Sequence, residues 1–345
     1  MKLAELVSAL RATQGVKLKR DIARVAEHLP QQGEARWLAE HTATGIRNGD
    51  DAAAIPDGDG FVLLAAEGML PAFVAADPWF AGFSALMVNV SDILAMGGRP
   101  YAVVDVLFSD EHSSCSALFA GMQAAARLFG VPVVGGHTSR VADGGQSLAV
   151  AIVGRARRLI TSFDAKPGDD LIFAVDLRGS YRGEANYFDA TSNADRERVR
   201  RAAEVLPALA EAGLVQAGKD VSMAGIAGTL AMLCEGSNVG AELELDALQR
   251  PEGTSLLRWL NTFPSYGFLL AVAPEHGRAV QQRFQAAGVT SERVGRFDSS
   301  CQVRLASAGE TRTFWDVSAE PLTGFGLARE AGTTAPRSDI SSQPH

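Results

Sequence analysis

The stretch DPWFAGFSALMVNVSDILAMGGRP, residues 77–100, decides how the rest of this chain is interpreted. Large apolar residues recur in it at helical spacing, namely Phe80, Phe83, Met87, Val90 and Leu94. This pattern predicts a buried helix that ends at the pair Gly97-Gly98. Asp92 lies inside the helix, where an ionised carboxylate needs a cation, hydrogen-bond donors or a protein partner, because removing it alone from water is costly. Asp92 is therefore a candidate ligand.

The composition is that of a globular protein with room for two domains. The chain has 345 residues, of which 47% are hydrophobic and 21% are charged. Its 32 basic and 40 acidic residues give a net charge of -8. This balance argues against a nucleic acid or an anionic membrane as the main partner. We therefore expect neither of these partners.

The cysteines and the N-terminal segment both favour a cytoplasmic location. Cys115, Cys234 and Cys301 are far apart and show neither a disulfide framework nor the paired spacing of a zinc site. The first residues alternate charged and apolar side chains and lack the apolar core of a signal peptide. We also expect no segment long and apolar enough to span a bilayer.

Helical and strand-like segments alternate along the chain, which predicts an α/β or α+β fold. Predicted helices cover residues 3–10, 21–29, 114–129, 194–211, 222–233 and 275–287, and predicted strands cover residues 61–66, 102–108, 131–134, 148–153, 171–175 and 268–272. A turn signal at Lys166-Pro167-Gly168 separates two sets of elements. We therefore divide the chain into an N-terminal domain of residues 1–160, a C-terminal domain of residues 161–326 and a loose tail of residues 327–345.

Acidic residues occur in four separate places where a Gly-rich or apolar context surrounds them: Asp50-Asp51, Glu67, Asp92 and Asp220. Carboxylates at strand ends and helix starts can converge on one pocket, where they repel each other strongly without a cation. Hard oxygen ligands of this kind suit Mg²⁺, which usually also takes oxygens from a bound phosphate. The pattern predicts a magnesium nucleotide as partner.

Each acidic position also has a purely structural interpretation. The alternatives are a turn or Asx motif at Asp50-Asp51, a strand-end charge at Glu67, hydrogen bonds from helix N–H groups or Ser91 to Asp92, and an N-cap at Asp220 for the helix of residues 222–233. No single position decides between the two interpretations.

The motif Val133-Val134-Gly135-Gly136-His137-Thr138 predicts a strand followed by two glycines. Paired glycines allow the backbone to approach a phosphate or a neighbouring chain closely. His137 is a candidate catalytic base or ligand, and a structural histidine fixed by the turn is the alternative.

Six segments in this order resemble the AIR-synthetase-like (PurM-like) superfamily, which includes aminoimidazole ribonucleotide synthetase, selenophosphate synthetase, thiamine-monophosphate kinase and the hydrogenase maturation carbamoyl-dehydratase. They are NGDDAAAI, DPWFAGFSALMVNVSDILAMGGRP, VPVVGGHTS, KPGDDLIF, KDVSMAGIAGTLAMLCEGSNVGAELELD and SYGFLLAV, and they cover most of residues 48–273. The ordered set is far more specific than any one segment.

The resemblance implies a two-domain fold, with an N-terminal α/β domain that forms a dimeric β-barrel with a second subunit and a C-terminal α+β domain. It implies ATP and Mg²⁺ in a long cleft and transfer of the ATP γ-phosphoryl group. Asp51, Asp92 and Asp220 match metal-binding aspartates of the superfamily. Glu67 stands where the family commonly has Asp, and the resemblance implies that Asp50 is a further metal ligand. The other pocket residues implied are Asn89, Gly135, Gly136, His137 and Thr138.

Departures from the known branches indicate a branch with its own substrate. Residues 14–19 read QGVKLK, without the reactive Cys that selenophosphate synthetases usually have before a lysine, and the chain lacks the terminal Cys of the hydrogenase maturation protein. Pro264-Ser265-Tyr266-Gly267 replaces the acidic motif of thiamine-monophosphate kinase. Lys17 and Lys19 are candidates for a phosphate contact or for a solvated helix face. Arg140, Arg178 and Arg182 are candidates for an anion clamp or plain surface residues.

These observations predict a homodimeric Mg²⁺-dependent ATP-using enzyme, a phosphotransferase or a synthetase, that acts on a small molecule. The catalytic candidates are Asp92 and His137. The cofactor-binding candidates are Asn89, Gly135, Gly136, Thr138 and Lys17, and the metal ligands are Asp50, Asp51, Glu67, Asp92 and Asp220. One alternative is a nucleotide-binding or assembly subunit without turnover, and another is an enzyme with selenophosphate synthetase-like or thiamine-monophosphate kinase-like activity.

Overall fold

A computed structural model of the protein describes residues 1–26, 32–33, 46–110, 115–141 and 146–326. The helices in these ranges are α1 (Leu3–Arg11), α2 (Gln14–Ala26), α3 (Pro71–Ala76), α4 (Pro78–Ala95), α5 (Ser116–Phe129), α6 (Arg196–Ala203), α7 (Val205–Glu211), α8 (Gly225–Ser237), α9 (Leu256–Leu260) and α10 (Gly277–Ala286). A 3₁₀ turn covers Leu245–Ala247. The tail predicted from residue 327 lies outside the described residues.

The strands form two large sheets and two small ones. They are β1 (Gln32–Gly33), β2 (Ile46–Arg47), β3 (Ala53–Asp57), β4 (Gly60–Met69), β5 (Arg99–Ser109), β6 (Val133–Arg140), β7 (Ser147–Ala156), β8 (Asp170–Val175), β9 (Ser180–Tyr181), β10 (Tyr187–Asp189), β11 (Ala217–Asp220), β12 (Gly240–Glu244), β13 (Phe263–Pro264), β14 (Gly267–Val272), β15 (Thr290–Asp298), β16 (Gln302–Ser307) and β17 (Glu310–Asp316). The small sheets pair β1 with β2 and order β13-β10-β9.

The first large sheet has the strand order β3-β4-β7-β5-β6, and all its pairs are antiparallel except β5 with β6. Helix α4 packs on one face of it. The opposite face carries apolar side chains that are between 38% and 64% exposed, among them Leu64, Val104, Val106, Phe108 and Val134. Within the described part of this single chain the sheet is open at β3 and β6. The expected closed barrel is therefore not formed by one chain.

Helix α4 ends just before the glycine pair, as the sequence predicts, and it begins after Asp77. Asp77 accepts a hydrogen bond from the Phe80 backbone N–H at 3.1 Å, and Pro78 occupies the first turn, where it loses no hydrogen bond. At the other end Gly97 has φ +71° and, with Gly98, donates to carbonyls of the last turn. This glycine-based end satisfies carbonyls that would otherwise lack partners. Most of the helix is buried, including Asp92.

The second large sheet has the order β11-β14-β8-β15-β12-β16-β17, and only β12 and β16 pair in parallel. Its interior strand β8 is buried along its whole length because both faces are covered. Successive side chains of a strand point to opposite faces. Ile172 and Ala174 accordingly join the core shared with the first sheet, whereas Leu171, Phe173 and Val175 join a second core around α8.

Helix α1 packs against the second sheet although it opens the chain. Leu3, Leu6 and Leu10 are buried in the same core as α8 and β17. Arg11 donates to the Phe314 carbonyl at 2.8 Å and to the Glu320 carboxylate at 2.9 Å. Helix α1 therefore belongs to the core of the second sheet. The division of the chain at residue 160 assigns it instead to the N-terminal domain.

Four local predictions differ from the structure. The predicted helix of residues 194–211 is broken between α6 and α7, because the ring of Pro207 excludes the carbonyl four residues earlier. The predicted second helix begins earlier, at Gln14, and residues 27–29 lie outside the described ranges. The two glycines of residues 135–136 lie inside β6 and not after it. We predicted that no segment could span a bilayer, but α4 is long and apolar enough to do so. In the structure 83% of this helix is buried inside the protein.

Candidate functional site

Three carboxylates from distant parts of the chain meet in one place. Asp51 precedes β3, Asp92 lies in the last turns of α4, and Asp220 ends β11. One ligand oxygen from each lies within 4.8 Å of the other two. Asp92 and Asp220 are 7% and 5% exposed, so that water screens little of the repulsion among the three charges. The convergence predicted for these aspartates is present.

Burial and mutual repulsion raise the pKa values of this group. Burial, followed by the charge of Asp51, raises the pKa of Asp220 to about 8. The same two causes raise the pKa of Asp50 to about 6. Burial and then Asp220 hold the pKa of Asp92 well above its usual value. The cluster thus favours either protons or a bound cation.

Lys219 supplies one positive charge inside the cluster. Its Nζ donates to Asp51 Oδ1, and the Asp220 backbone N–H donates to Asp51 Oδ2 at 3.2 Å. Burial opposes the charged form of Lys219, but Asp51 and Asp50 outweigh this effect and raise its pKa above the usual value. The pair joins the loop before β3 to the second sheet.

One oxygen of Asp92 lacks a partner among the described residues. Its Oδ2 is buried and accepts no hydrogen bond, so neither the helix N–H groups nor Ser91 satisfies it. A buried acceptor without a partner costs free energy that a cation would recover. Three carboxylate oxygens form a hard donor set of the kind that Mg²⁺ prefers. The residues present therefore fit a magnesium ion.

Asp50 and Glu67, which we also predicted as metal ligands, have other surroundings. Both oxygens of Asp50 accept hydrogen bonds from the backbone N–H of Ser162, and Oδ1 also accepts from its hydroxyl at 2.6 Å. Asp50 therefore fastens its loop to the chain that leads into β8. Glu67 has an exposed surface at the edge of the cleft, yet the surrounding atoms withdraw its carboxylate from water, and this desolvation raises its pKa. Neither residue belongs to the close group of three carboxylates.

The remaining predicted pocket residues do not join the aspartates within one chain. Asn89 is fully buried and donates to the Val150 carbonyl at 3.1 Å, so its amide faces the sheet. Gly135, Gly136, His137 and Thr138 are exposed on β6, at the edge of the first sheet. They lie outside the cleft that contains the aspartates.

Of the basic residues predicted to contact an anion, some line the cleft and others lie elsewhere. Lys17 is exposed on α2, whereas Lys19 lines the cleft near Glu67. Arg178 forms an ion pair with Asp176 at 2.8 Å. Arg182 pairs with Asp77 at 2.5 Å and lies near Asp189 at 3.5 Å. The two arginines are engaged by carboxylates of this chain.

The carboxylate cluster lies in a cleft with two parts. The acidic half contains Asp50, Asp51 and Lys219. The apolar half contains aromatic and aliphatic side chains from both domains. Five residues line both halves: Lys19, Glu67, Asp92, Asp220 and Ser222. The two halves therefore form one continuous space.

Residues 321–326, which we call the C-terminal strap, close one side of the acidic half. Buried Glu235 accepts hydrogen bonds from the backbone N–H groups of Thr323 and Gly324 at 2.8 and 2.9 Å. Phe325 of the strap packs against Gly49, where a Cβ atom would come within 2.3 Å of the Phe325 Cβ. Gly49 also has φ +101°, a conformation that favours glycine.

Sequence reasoning missed three contributors to the cleft. Lys219 precedes Asp220 directly, and the available signal is a lysine beside a candidate metal-binding aspartate. Ser222 was treated only as a helix start. The aromatic residues of the apolar half come from separate segments, so no local pattern could have grouped them.

Two open sheets that share a cleft with three convergent carboxylates define a two-domain α/β protein with a candidate metal centre. The chain belongs to the AIR synthase related protein family, whose N-terminal domain matches residues 49–156 and whose C-terminal domain matches residues 177–307. The family predicted from the six sequence segments is confirmed.

Three relatives illustrate this membership. An uncharacterized protein of Synechocystis is 47% identical over 324 residues, which are 94% of this chain and 98% of the relative. The phosphoribosylformylglycinamidine synthase subunit PurL of Methanosarcina barkeri is 27% identical over 90% of this chain, which spans only 47% of that relative. The selenide, water dikinase of Myxococcus xanthus is 31% identical over 59% of this chain and 60% of its own length.

Solved structures confirm the two-domain fold. T. maritima PurL complexed with ATP has a TM-score of 0.69 and 18% identity, covering 85% of this chain and 49% of that chain. AaThiL complexed with AMPPCP and TMP has a TM-score of 0.60 and 19% identity, covering 77% of this chain and 91% of that chain. At these identities the likeness concerns the fold.

Proposed function

We propose that this protein is a Mg²⁺-dependent enzyme that transfers the γ-phosphoryl group of ATP to a small-molecule substrate. The observation that carries the proposal is the group of three carboxylates within 4.8 Å, in which buried Asp92 Oδ2 lacks a partner. Support comes from the matching fold of a PurL complexed with ATP. It also comes from relatives whose names include a dikinase.

The residues of the cleft divide the work as follows. Asp51, Asp92 and Asp220 hold the ion, which when bound neutralises charge on the phosphates and orients them. Lys219 keeps Asp51 fixed and lowers the net negative charge that an incoming triphosphate meets. Lys19, at the junction of the two halves, is placed to contact a phosphate oxygen.

The transfer itself needs positioning more than covalent help from the protein. A lone pair of the acceptor forms the new bond to the γ-phosphorus, and the bond to the β–γ bridging oxygen breaks, so that ADP leaves with that electron pair. A proton released by a hydroxyl acceptor passes to water. No covalent protein intermediate is required.

A homodimer is part of this proposal, because it accounts for residues that the single chain leaves apart. The outer face of the first sheet is apolar and open, and β6 lies at its edge with Gly135, Gly136, His137 and Thr138 exposed. Pairing this face with a second copy buries the apolar side chains. It also places those four residues at the proposed interface, where we assign the predicted roles of His137 and Thr138.

The test compares the wild type with Asp92→Asn. We expect Mg-ATP to raise the melting temperature of the wild type, and we expect incubation with Mg-ATP and a metabolite extract to yield a phosphorylated or condensed product that mass spectrometry detects. Asp92→Asn is expected to lower product formation at least 100-fold. Asp170→Asn changes a buried carboxyl group outside the cleft, paired with Arg293, and is the matched control that keeps turnover.

Two results contradict the proposal. If Mg-ATP binds but no extract yields a product, the protein is a nucleotide-binding subunit without turnover. If Mg-ATP produces no melting shift at all, both functions are wrong.

A further inference from the structure

The apolar half of the cleft is walled by aromatic rings from both domains. Phe73 and Phe80 lie 5.9 Å apart, centroid to centroid, in edge-to-face contact. Phe73 stacks on Tyr187 at 5.4 Å, and Tyr187 contacts Phe263 at 6.0 Å. Contacts of this kind hold each ring in place. The four residues therefore form a fixed wall beside a cavity of about 120 Å³ that is partly open to solvent.

Helix α4 leads from this wall to the carboxylates. Ser84, Val88 and Asp92 follow each other at intervals of four residues, so they share one face of the helix. All three line the cavity. Eight residues of α-helix rise about 12 Å, which is the length of a small two-ring molecule. A ligand lying along this face has one end among the rings and the other at Asp92.

The charges of the apolar half exclude phosphorylated ligands. Among its lining residues that the structure describes, Lys19 is the single cation, and it lies at the junction with the acidic half. The guanidinium of Arg182 lies 3.9 Å from the Phe80 ring centroid, but Asp77 and Asp189 already pair with it. A phosphate buried among these rings would lose its hydration without gaining a partner.

A polar group without a partner marks the junction of the halves. Ser222 lines both of them, and its Oγ is buried without a hydrogen bond among the described residues. A ligand oxygen or nitrogen at this point would satisfy the hydroxyl. The junction thus suits the polar end of a ligand, whereas the wall suits its apolar body.

We propose that the apolar half binds the phosphoryl acceptor, and that this acceptor is an unphosphorylated compound with an aromatic body and no negative charge. Its body lies among Phe73, Phe80, Tyr187 and Phe263, and its polar end meets Ser222 beside Asp92. The assignment of the ligand as acceptor rests on the proposed phosphoryl transfer.

The experiment uses the neutral fluorescent amine 1-aminoanthracene as a probe of the full chain. Ser84→Phe fills the cavity, and Leu70→Asp places a charge at its rim, where Leu70 is 52% exposed and the fold tolerates polar atoms. Ser8→Phe makes the first change on the exposed face of α1 and is the matched control. We expect at least tenfold weaker probe binding in the two cavity variants and no change in Ser8→Phe.

Mg-ATP separates the inference from the proposed function. We expect the probe to bind equally well at saturating Mg-ATP, and we expect Ser84→Phe and Leu70→Asp to keep the wild-type affinity for Mg-ATP. Competition between Mg-ATP and the probe would show that the apolar half holds the adenine base, and would overturn the inference alone. Probe binding that both cavity variants leave intact would place the probe elsewhere and also overturn it. Loss of Mg-ATP binding by the wild type would instead overturn the proposed function.

Discussion

Lys219 is the residue that makes the carboxylate cluster compatible with a folded chain before any ion binds. Three buried carboxylates near one another repel strongly, and Lys219 is paired with one of them, Asp51. Removing one partner of a buried ion pair leaves an uncompensated buried charge. This destabilises the fold more than replacing both partners by apolar side chains does. The lysine thus acts as a permanent counter-charge.

Replacement of this lysine by a side chain of similar length tests that role. Lys219→Met is expected to lower the free energy of unfolding by about 3 kcal/mol in metal-free buffer, as for other broken buried pairs. Urea denaturation followed by circular dichroism measures the change. Arg155→Met is the control, because Arg155 and its partner Asp57 are 43% and 52% exposed. Such exposed pairs contribute about 0 to 1 kcal/mol. Equal effects of the two substitutions would contradict the role of Lys219.

The raised carboxyl pKa values predict an unusual coupling between pH and Mg²⁺. Asp50 and Asp220 have pKa values of about 6 and 8, chiefly because they are buried. A carboxyl group whose pKa is higher in the folded state stabilises the fold while protonated, and this contribution is lost as pH rises through the folded pKa. The metal-free protein is expected to lose this contribution as the pH rises from about 4, the usual carboxyl pKa, to about 8.

Magnesium ions should reverse the part of that loss that comes from Asp220, since they replace protons at the oxygens of the carboxylate cluster. We expect the increase in melting temperature caused by 5 mM MgCl₂ to be larger at pH 8.5 than at pH 5.5. Differential scanning fluorimetry measures both values, and Asp92→Asn should diminish the difference. An equal Mg²⁺ effect at the two pH values would contradict this expectation.

At the scale of elements, two glycines set the distance between α4 and α5. A Cβ atom at Gly82 would lie 2.0 Å from the Leu118 carbonyl oxygen, and one at Gly121 would lie 1.8 Å from the Trp79 carbonyl oxygen. Both positions face a backbone atom that cannot move aside alone. The helices therefore touch through their backbones, which fixes α4 and with it Asp92.

Gly82→Ala tests this contact, because the helix propensity of alanine should stabilise the protein whereas the clash of its Cβ atom should destabilise it. In a helix interior, alanine is favoured over glycine by about 1 kcal/mol. The clash should outweigh that gain and lower the free energy of unfolding by about 2 kcal/mol. Gly68→Ala is the control, since a Cβ at Gly68 meets nothing within 4 Å. Thermal and urea unfolding of the two variants give the comparison. A stabilised Gly82→Ala variant would refute the close contact.

Elements with strong local signals were predictable, whereas their partners in space were not. The span of α4, its Asp77 cap and its glycine end follow from neighbouring residues, and so does the candidate role of Asp92. The break at Pro207 has a local signal that helical periodicity concealed. The aromatic wall and the Asp51–Lys219 pair unite segments that are far apart along the chain, and only the three-dimensional packing brings them together.

At the scale of the whole molecule, the outer face of the first sheet predicts self-association. Val104, Val106 and Phe108 alternate along β5 with buried residues, and each is about two-fifths exposed. Contiguous apolar surface of this kind marks an interface in soluble proteins. The proposed homodimer covers this surface.

Val106→Asp should convert that dimer into a monomer, because a pair of charges would be buried at the interface without partners. Sedimentation-velocity ultracentrifugation at micromolar concentration measures the change. Leu70→Asp changes an apolar residue that is 52% exposed and lies at the cleft, away from the sheet face, and should leave the dimer intact. A monomeric wild type would refute the homodimer.

The packing of α1 also has a consequence for the time course of synthesis. Arg11 bonds to the Phe314 carbonyl and the Glu320 carboxylate, which lie 303 and 309 residues further along the chain. At 5 to 20 residues per second, the ribosome needs about 15 to 60 s to reach those partners. Throughout that interval α1 lacks the strand with which it makes its most extensive contacts, β17. The packing of this helix is therefore completed only late in synthesis.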